Sequence, residues 1–381
     1  MNFNYPKRDG SAILVRSVCA IVFLVFTFLW LYAFQADVLC VAQHVLSGGR
    51  TSYKPLVGGV VITGLLMSLQ LFVMKVFKLL RSFHWLTYLP SFLLLATISS
   101  IGIDCSFPLA SHWWLLLLVL VVWAVAAWML IRLKPLPRSR RSEIYSRLLW
   151  HNLLGMACLM LCIAVLGNTD IVFHFRAHAE TSLKAGNVDE ALRVGEESHE
   201  NDGSLTMLRA YALSLKGELG DRLFHYPIAG TSDNLLPASS DSQLLIYPED
   251  SLYRHLGARP VGQMSALRFF ELLEKYGKAT KAVADYRLCG LLIDRKLDEF
   301  ASIVQRYYPL NDSLPRHYRE ALVLYRHQHS HPVVVYHDAV TDTDYNDLQE
   351  LESHYADFTE RKGKVLEKYE GSYWYYYEYM K

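Results

Sequence analysis

The long apolar stretches of this sequence have almost no charged residues in their interiors. Charged groups deep in a bilayer are costly, and they usually mark ion pathways, voltage sensors or catalytic centres. Arg16 lies near the start of the first stretch, where its side chain can reach the lipid head groups. The lack of an acidic pair, an arginine-rich helix or a mid-stretch histidine counts against a proton-coupled transporter, a voltage sensor and an intramembrane metalloprotease.

Sequence motifs of common catalytic and nucleotide-binding sites are also missing. The pair Gly277-Lys278 lacks the upstream glycine of a phosphate-binding loop. The run Asp342–Asp347 (DTDYND) begins like a calcium loop, but it has no glycine at the sixth position and Ser353 stands at the twelfth. We therefore predict that the protein is not an enzyme and binds no cofactor, and that Asp342–Asp347 is an acidic, solvated loop.

Cysteine is scarce, with six residues and no spacing typical of a zinc site. Cys40 and Cys105 fall in loops that we expect on the outer side of a membrane, where oxidation is favoured in many bacteria. They could form a disulfide bond, or they could remain separate thiols.

Basic residues are in the minority in the second part of the chain. Residues 1–166 contain 14 Lys and Arg against 4 Asp and Glu, a formal charge of about +10, whereas residues 167–381 contain 24 against 33, about −9. Binding to nucleic acid needs a cationic face on the soluble part. This division argues against nucleic acid as a partner.

Five apolar stretches have close to the ~20 helical residues that cross a bilayer core of about 30 Å. They are Ala12–Phe34, Pro55–Met74, Trp85–Ile103, His112–Ile131 and Leu148–Leu166. The apolar run of the first stretch is longer than the ~7–15 residues of a signal peptide, and no clear cleavage site follows it. We therefore predict a five-helix transmembrane domain over residues 12–166, preceded by a cytoplasmic tail of residues 1–11.

Short loops rich in Lys and Arg stay in the cytoplasm, so their positions predict the orientation. With five spans, the three richest segments lie on one side: the N-terminal tail, the loop around Lys78, and the loop between Arg132 and Arg147. This arrangement puts the N-terminus inside and residues 167–381 in the periplasm or another extracytoplasmic space. With four spans, the last stretch would be a buried helix and residues 167–381 would face the cytoplasm. We prefer five spans in the plasma (inner) membrane.

Residues 167–381 show the periodicity of amphipathic helices. Ala185–Leu192 (AGNVDEAL) has a glycine before a turn and a small residue, Ala191, on the next helix. Leu297–Phe300 repeats the order of apolar and acidic residues, with Phe300 following Ala191 by 109 positions. These residues resemble the turn of a tetratricopeptide repeat, a helical hairpin of about 34 residues. The resemblance implies an all-α repeat domain with a concave surface for protein or peptide segments. The layout also resembles that of envelope proteins of Bacteroidota.

Several finer features of this domain follow from local signals. Ser204 is a candidate N-cap for a helix that ends near Gly217. Residues 227–260 have four prolines and form an irregular insertion, in which Leu244–Tyr247 could be a short strand or a plug packed into the repeat. We expect the insertion on the concave face. Asp347–Tyr369 is predicted to be a helix that is broken or kinked near Gly363.

Two groups of side chains are candidates for a functional site. His327, His331, His337 and Asp338 lie close together in the sequence; they could converge on a metal or a substrate, or they could face solvent at a helix end. Their spacing lacks an HExxH pattern, so we predict no metal. The second group is aromatic: Tyr373, Trp374, Tyr376 and Tyr377. It could be an interaction surface, or it could pack the last helix against its neighbours.

We therefore predict a membrane-anchored interaction or scaffold protein, whose partners are the lipid bilayer and a protein or peptide. The alternative is a membrane enzyme that acts on lipid or glycan at the outer leaflet, in which case the insertion and the histidine group would face the membrane. A sensor that transmits across the membrane is a third hypothesis, and it would need a partner because the inner loops are short.

Overall fold

The computed structural model of the chain describes residues 10–77, 79, 81–100, 102, 112–132, 141–237 and 242–380. These residues form α-helices with short 3-10 and π-helical segments and no β-strand, which confirms the predicted fold class. The chain divides into two compact units, Met1–His174 and Phe175–Lys381. The boundary predicted from the sequence, after Leu166, lies eight residues earlier. Cys105 is outside the described residues, and so is the predicted pairing of Cys40 with it.

Among its described residues, the first unit contains four helices that are long and apolar enough to cross a membrane: Ile13–Phe34, Pro55–Phe77, Trp113–Arg132 and Arg147–Leu166. They match the first, second, fourth and fifth predicted spans. Large apolar side chains on these helices, such as Leu65, Leu118 and Val165, are more than half exposed, as lipid-facing residues are. The α-helices of this unit are α1 (Gly10–Leu29, continued by a π-helical segment, Trp30–Phe34), α2 (Ala36–Ser47), α3 (Pro55–Phe77), α4 (Leu89–Ile98), α5 (Trp113–Arg132) and α6 (Arg141–Leu166).

The third predicted span, Trp85–Ile103, differs from the structure. A 3-10 helix, Arg81–Tyr88, passes into α4, and the apolar part of this element, Ser82–Ile98, is shorter than the four candidate spans. Pro90 lies in the first turn of α4. Proline has no backbone N–H, so regular α-helical hydrogen bonding cannot continue through this position.

This divided segment is nevertheless the interior of the first unit. Its side chains make close contact with α1, α3 and α6. Thr87 accepts a hydrogen bond from the Gln70 amide (3.0 Å), and the backbone N–H of Trp85 donates to Asn152 Oδ1 (3.0 Å). Polar side chains are therefore paired between helices. The buried side chains of the segment include Tyr88, Phe92, Leu95 and Ala96.

The second unit is built from consecutive helices that pack against one another along the chain. Its described α-helices are α7 (Ile171–Lys184, which begins in the first unit), α8 (Val188–Arg193), α9 (Gly203–Lys216), α10 (Leu219–Arg222), α11 (Glu249–Leu256), α12 (Ala266–Lys275), α13 (Ala282–Ile293), α14 (Leu297–Tyr307), α15 (Arg316–Gln328), α16 (Ala339–His354), α17 (Phe358–Tyr369) and α18 (Tyr373–Tyr379). Short 3-10 segments are formed by Leu223–His225 and Ser232–Leu235.

Three helices, α9, α13 and α15, form the centre of this unit. Every residue from Gly203 to Leu213 is buried, and so is Leu288–Ile293. A helix that is apolar on all sides needs neighbours on all sides. The neighbours of α9 include α8 and the 3-10 segment Ser232–Leu235, those of α13 include α12 and α14, and those of α15 include α10 and α16.

Four helix ends in the second unit close with the same turn. In each, one residue adopts the left-handed conformation: Gly186, Gly217, Gly277 and Arg295, with φ between 56° and 80°. The next N–H then donates to a carbonyl five residues back, as Asn187 does to Ser182 (2.9 Å) and Lys296 to Leu291 (2.8 Å). This pattern is the Schellman motif, and it reverses the chain between paired helices.

The insertion of residues 227–260 is part of the core of the second unit. Leu235, Leu245, Ile246 and Leu256 in it are buried. Residues 245–247 form a bend and no strand, so of the two alternatives the structure has the packed plug.

Glu180 of α7 holds this plug in place. Its buried carboxylate accepts the backbone N–H groups of Leu245 (2.9 Å), Ile246 (2.5 Å) and Tyr247 (2.8 Å). Burial raises the pKa of Glu180, whereas the three N–H donors and the nearby Arg176 favour the ionised form. A segment without regular structure thus has its polar groups satisfied inside the unit.

Three local predictions were wrong. Asp202, not Ser204, is the N-cap of α9, because its carboxylate accepts the N–H of Leu205 (2.7 Å). The acidic run Asp342–Asp347 lies within α16 and forms no loop, since Asp338 caps this helix upstream. The break or kink predicted near Gly363 is instead a break before α17, whose N-cap is Asp357, and Gly363 lies within that helix.

Candidate functional site

The last helix, α18, buries most of the aromatic side chains that the sequence offered as a candidate interaction surface. The structure thus corresponds to the alternative in which these rings pack the last helix against its neighbours. Tyr373 is fully buried, Trp374 and Tyr376 are nearly so, and Tyr377 is half-buried.

The polar ends of these rings bind the end of α13. The Tyr373 hydroxyl donates to the carbonyl of Leu292 (3.3 Å), and the Tyr376 hydroxyl donates to that of Ile293 (2.8 Å). The last carbonyls of a helix have no partner within it, so these hydroxyls satisfy buried acceptors. Burial raises the pKa of Tyr376 to about 12, which keeps the donating proton on the ring.

Arg295, in the turn after α13, in turn binds the end of α18. Its guanidinium donates to the carbonyls of Tyr376 (3.2 Å) and Met380 and lies 5.0 Å from the centre of the Tyr376 ring. A cation at the C-terminal end of a helix also interacts favourably with the helix dipole. The ends of α13 and α18 therefore cap one another.

A groove of about 940 Å³ lies beside these two helix ends. We call it the terminal groove. One side is the turn Gly230–Asp233, the other is the turn Ile293–Lys296, and α18 provides an aromatic wall. The polar, charged and aromatic side chains that line it include Thr231, Asp233, Asp294, Lys296, Lys362 and Tyr375.

Both signs of charge line the terminal groove. Asp294 accepts the N–H (2.9 Å) and the hydroxyl (2.7 Å) of Ser232, and its carboxylate lies 3.7 Å from the amino group of Lys296. Asp233 accepts the N–H of Ala266 (2.7 Å). These bonds fix both carboxylates to the backbone, and Lys362 adds a cation on the α17 side. The groove can therefore bind hydrogen-bond donors and acceptors and groups of either charge.

A second cavity, of about 630 Å³, lies on the other side of α18. It shares Tyr375, Tyr376 and Met380 with the terminal groove, so only the last helix separates the two spaces. His199 and His225 are among its lining residues.

A buried polar network supports this second cavity. His317 bonds through Nδ1 to Glu320 (3.0 Å), and its Nε2 accepts the N–H of Phe224 (3.3 Å). Burial disfavours ionisation of Glu320, but His317 and Arg316 outweigh it and lower the pKa of this carboxyl. His225 is exposed on one side, but partial burial, with His317 and Arg316 beside it, lowers its pKa to about 4. The interactions among these groups attach the Leu223–His225 segment to α15.

The four residues of the histidine group do not all share one partner. His327 and His337 approach Arg326, which is paired with Asp342 (2.8 Å).

The other two members are placed separately: His331 is exposed, while Asp338 caps α16 and binds Arg319 (2.9 Å). A metal ion between His327 and His337 would be repelled by the Arg326 guanidinium. Among the described residues, no group of three or more His, Cys, Asp and Glu side chains could hold a metal ion.

Sequence reasoning missed Asp233, Asp294, Lys296 and Lys362, the charged residues of the terminal groove. Asp294 and Lys296 flank Arg295 in a turn that the sequence comparison with Ala185–Leu192 had singled out. The sequence similarity at that turn could therefore have indicated where this part of the groove lies. The approach of Ser232 and Lys362 to it depends on contacts across the fold and has no local signature.

Comparison with known proteins gives a match to a family model that covers part of the chain. In the part that the structure describes, the chain is all-helical and has four candidate membrane spans. Residues 262–380, from just before α12 to α18, match a family model described as "Family of unknown function (DUF6057)". The match covers less than a third of the chain and includes much of the terminal groove. No curated protein and no solved structure matches the chain.

Proposed function

We propose that the protein is a membrane-anchored interaction protein whose helical domain binds a peptide segment of a partner in the terminal groove. The observation that carries this proposal is the lining of the groove. It combines backbone-fixed carboxylates at Asp233 and Asp294, amino groups at Lys296 and Lys362, and an aromatic wall from α18. A peptide offers N–H groups, carbonyls and charges of both signs, and it suits such a mixed surface.

Repetition of the helical hairpins supports the same proposal. The turns at Gly186 and Arg295 are 109 positions apart and have the same hydrogen bonds, which agrees with the sequence similarity of Ala185–Leu192 and Leu297–Phe300. We infer a degenerate repeat domain similar to tetratricopeptide repeats. Repeat domains of stacked helices commonly present binding surfaces along the stack.

The proposal is tested by placing the photo-crosslinking residue p-benzoyl-phenylalanine at Lys362 in the full-length protein in cells. Lys362 lines the terminal groove, and we expect a protein adduct there after irradiation. Lys364, on the same helix, pairs with Glu367 and is not among the residues of the groove, so it is the matched control. A protein adduct no stronger at 362 than at 364 would contradict the proposal. An adduct with lipid or glycan at 362 would favour the membrane enzyme instead.

We also propose that the chain crosses the membrane five times, with the N-terminus in the cytoplasm and the helical domain outside. After a kink at Phe83, five residues of 3-10 helix rise about 10 Å and the ten of α4 about 15 Å, so together they extend over most of the ~30 Å bilayer core. This segment is buried among α1, α3 and α6. A helix shielded from lipid in this way can carry the polar residues His84 and Thr87.

Charge favours five crossings over four. With five, the segments around Arg16, Lys78 and Arg138 hold 12 Lys and Arg on one side, against 2, Arg50 and Lys54, on the other. With four crossings at the candidate spans, the same residues divide as 6 and 8. Only the first arrangement has the strong asymmetry that orients membrane proteins.

Accessibility of introduced cysteines tests this topology. We expect a membrane-impermeant thiol reagent to label Ser302→Cys, an exposed site on α14, in intact cells, and to label Ser142→Cys only after permeabilisation. Labelling of Ser302→Cys only in permeabilised cells would place the helical domain in the cytoplasm and contradict five crossings.

A further inference from the structure

Two of the most exposed apolar side chains of the helical domain line one cavity beside α12. Val261 is 91% exposed and Tyr276 is 69% exposed. Both line a cavity of about 500 Å³ together with Pro260, Met264 and Leu272. Large exposed apolar patches on a domain mark surfaces that meet a protein or a membrane. We call this set of residues the 261–276 surface.

The charge around this surface is opposite to that of the domain. Residues 254–281 contain six Lys and Arg against two Asp and Glu, whereas residues 167–381 as a whole carry about −9. Arg259 is compensated by Glu249 (2.8 Å) and Asp250 (3.4 Å). Lys275 and Lys278 are exposed, and neither forms an ion pair within the described part of the chain.

We propose that the 261–276 surface docks on the anionic head groups of the bilayer in which the chain is anchored. The exposed side chains of Val261 and Tyr276 enter the boundary between head groups and acyl chains, while the lysines beside them meet the phosphates. The proposal rests on the membrane anchoring proposed above. The helical unit begins at Phe175, nine residues after the last candidate span ends at Leu166, so a bilayer surface is always within reach of it.

Lipid photo-crosslinking of the full-length protein tests the proposal. The protein is placed in nanodiscs of phosphatidylcholine mixed with phosphatidylglycerol, with p-benzoyl-phenylalanine at Val261. We expect a lipid adduct at this position. Val333, which is 85% exposed and lies outside the 261–276 surface, is the matched control and should give little lipid adduct.

A third position separates failure of docking from failure of anchoring. Leu118 is 53% exposed on α5, a candidate membrane span, and should react with lipid whenever the chain is inserted. A lipid adduct at 118 without one at 261 would overturn the docking proposal alone. No adduct at 118 would overturn the membrane anchoring as well. A protein adduct at 261, or equal lipid adducts at 261 and 333, would also overturn docking.

The lysines are tested by charge removal. Replacing Lys275 and Lys278 with glutamine should lower the lipid adduct at Val261 about tenfold in the anionic nanodiscs. The same change at Lys364 and Lys368, which pair with Glu367 and Asp347, removes equal charge elsewhere and should leave the adduct unchanged. An adduct insensitive to both changes would overturn the electrostatic part of the proposal.

Discussion

Arg295 occupies a backbone conformation, φ 56°, that side chains other than glycine rarely adopt. The three other turns of this type have glycine at the corresponding position, which costs no steric strain. At Arg295 the strain of about 1 kcal/mol is offset by hydrogen bonds to α18 and by contact with Tyr376. The Arg295 side chain therefore makes a contact that glycine cannot make.

We expect Arg295→Gly to lower the free energy of unfolding of the helical domain by about 1–2 kcal/mol, because the lost charge-assisted bonds outweigh the relief of strain. Hydrogen exchange of α13 and α18 measures the change. Gly277→Ala, at φ 63° with open space around the new Cβ, shows the cost of strain alone. An Arg295→Gly variant as stable as the wild type would contradict the capping role.

His225 has a pKa of about 4 in the folded protein and about 6.5 when unfolded. Between these values the unfolded chain binds a proton that the folded chain does not. The stabilising effect of keeping His225 neutral is thus complete above about pH 6.5 and is lost as the pH falls towards about 4.

We therefore expect the stability of His225→Gln, relative to the wild type, to increase when the pH is lowered from about 7 to about 5. Pulse proteolysis across a urea series measures the difference in stability between His225→Gln and the wild type at each of the two pH values. His199→Gln, at an exposed residue of the same cavity, is the control. If the difference between His225→Gln and the wild type is independent of pH, His225 does not titrate in this way.

At the scale of elements, the plug of residues 244–247 depends on one carboxylate. Glu180 accepts three of its N–H groups, and no regular secondary structure replaces those bonds. We expect Glu180→Gln to raise amide exchange at residues 245–247 at least about tenfold, because an amide has one acceptor oxygen and adds two donors. Glu200→Gln, at an exposed site, should leave exchange there unchanged. Unchanged exchange in Glu180→Gln would show that packing alone holds the plug.

Helices with a clear apolar period, such as α14, could be predicted from the sequence, and so could the turns at Gly186 and Gly217. The break before α17 could not, because Gly363 is tolerated inside a helix while Asp357 starts a new one through a cap. The groove was missed for a similar reason. Its residues come from separate turns, and only tertiary packing brings them to one place.

At the scale of the molecule, the topologies with five and with four crossings predict different effects of removing positive charge from the loops. With five crossings, neutralising Arg138, Arg140 and Arg141 removes inner charge, whereas neutralising Arg50 and Lys54 removes outer charge. We expect the first change to lower labelling of Ser302→Cys in intact cells, and the second to maintain it. With four crossings both loops lie on one side, so parallel effects of the two changes would contradict five crossings.

The mutual capping of α13 and α18 also bears on the order in which the domain is made. Tyr373 and Tyr376 reach carbonyls 81 and 83 residues earlier in the chain. During synthesis from the N-terminus, the end of α13 therefore leaves the ribosome well before its partners exist. Closing so long a loop is slow compared with forming a hairpin. A nascent chain would expose this helix end to chaperones and proteases until α18 docks, so completion of the last helix would act as a checkpoint for the whole domain.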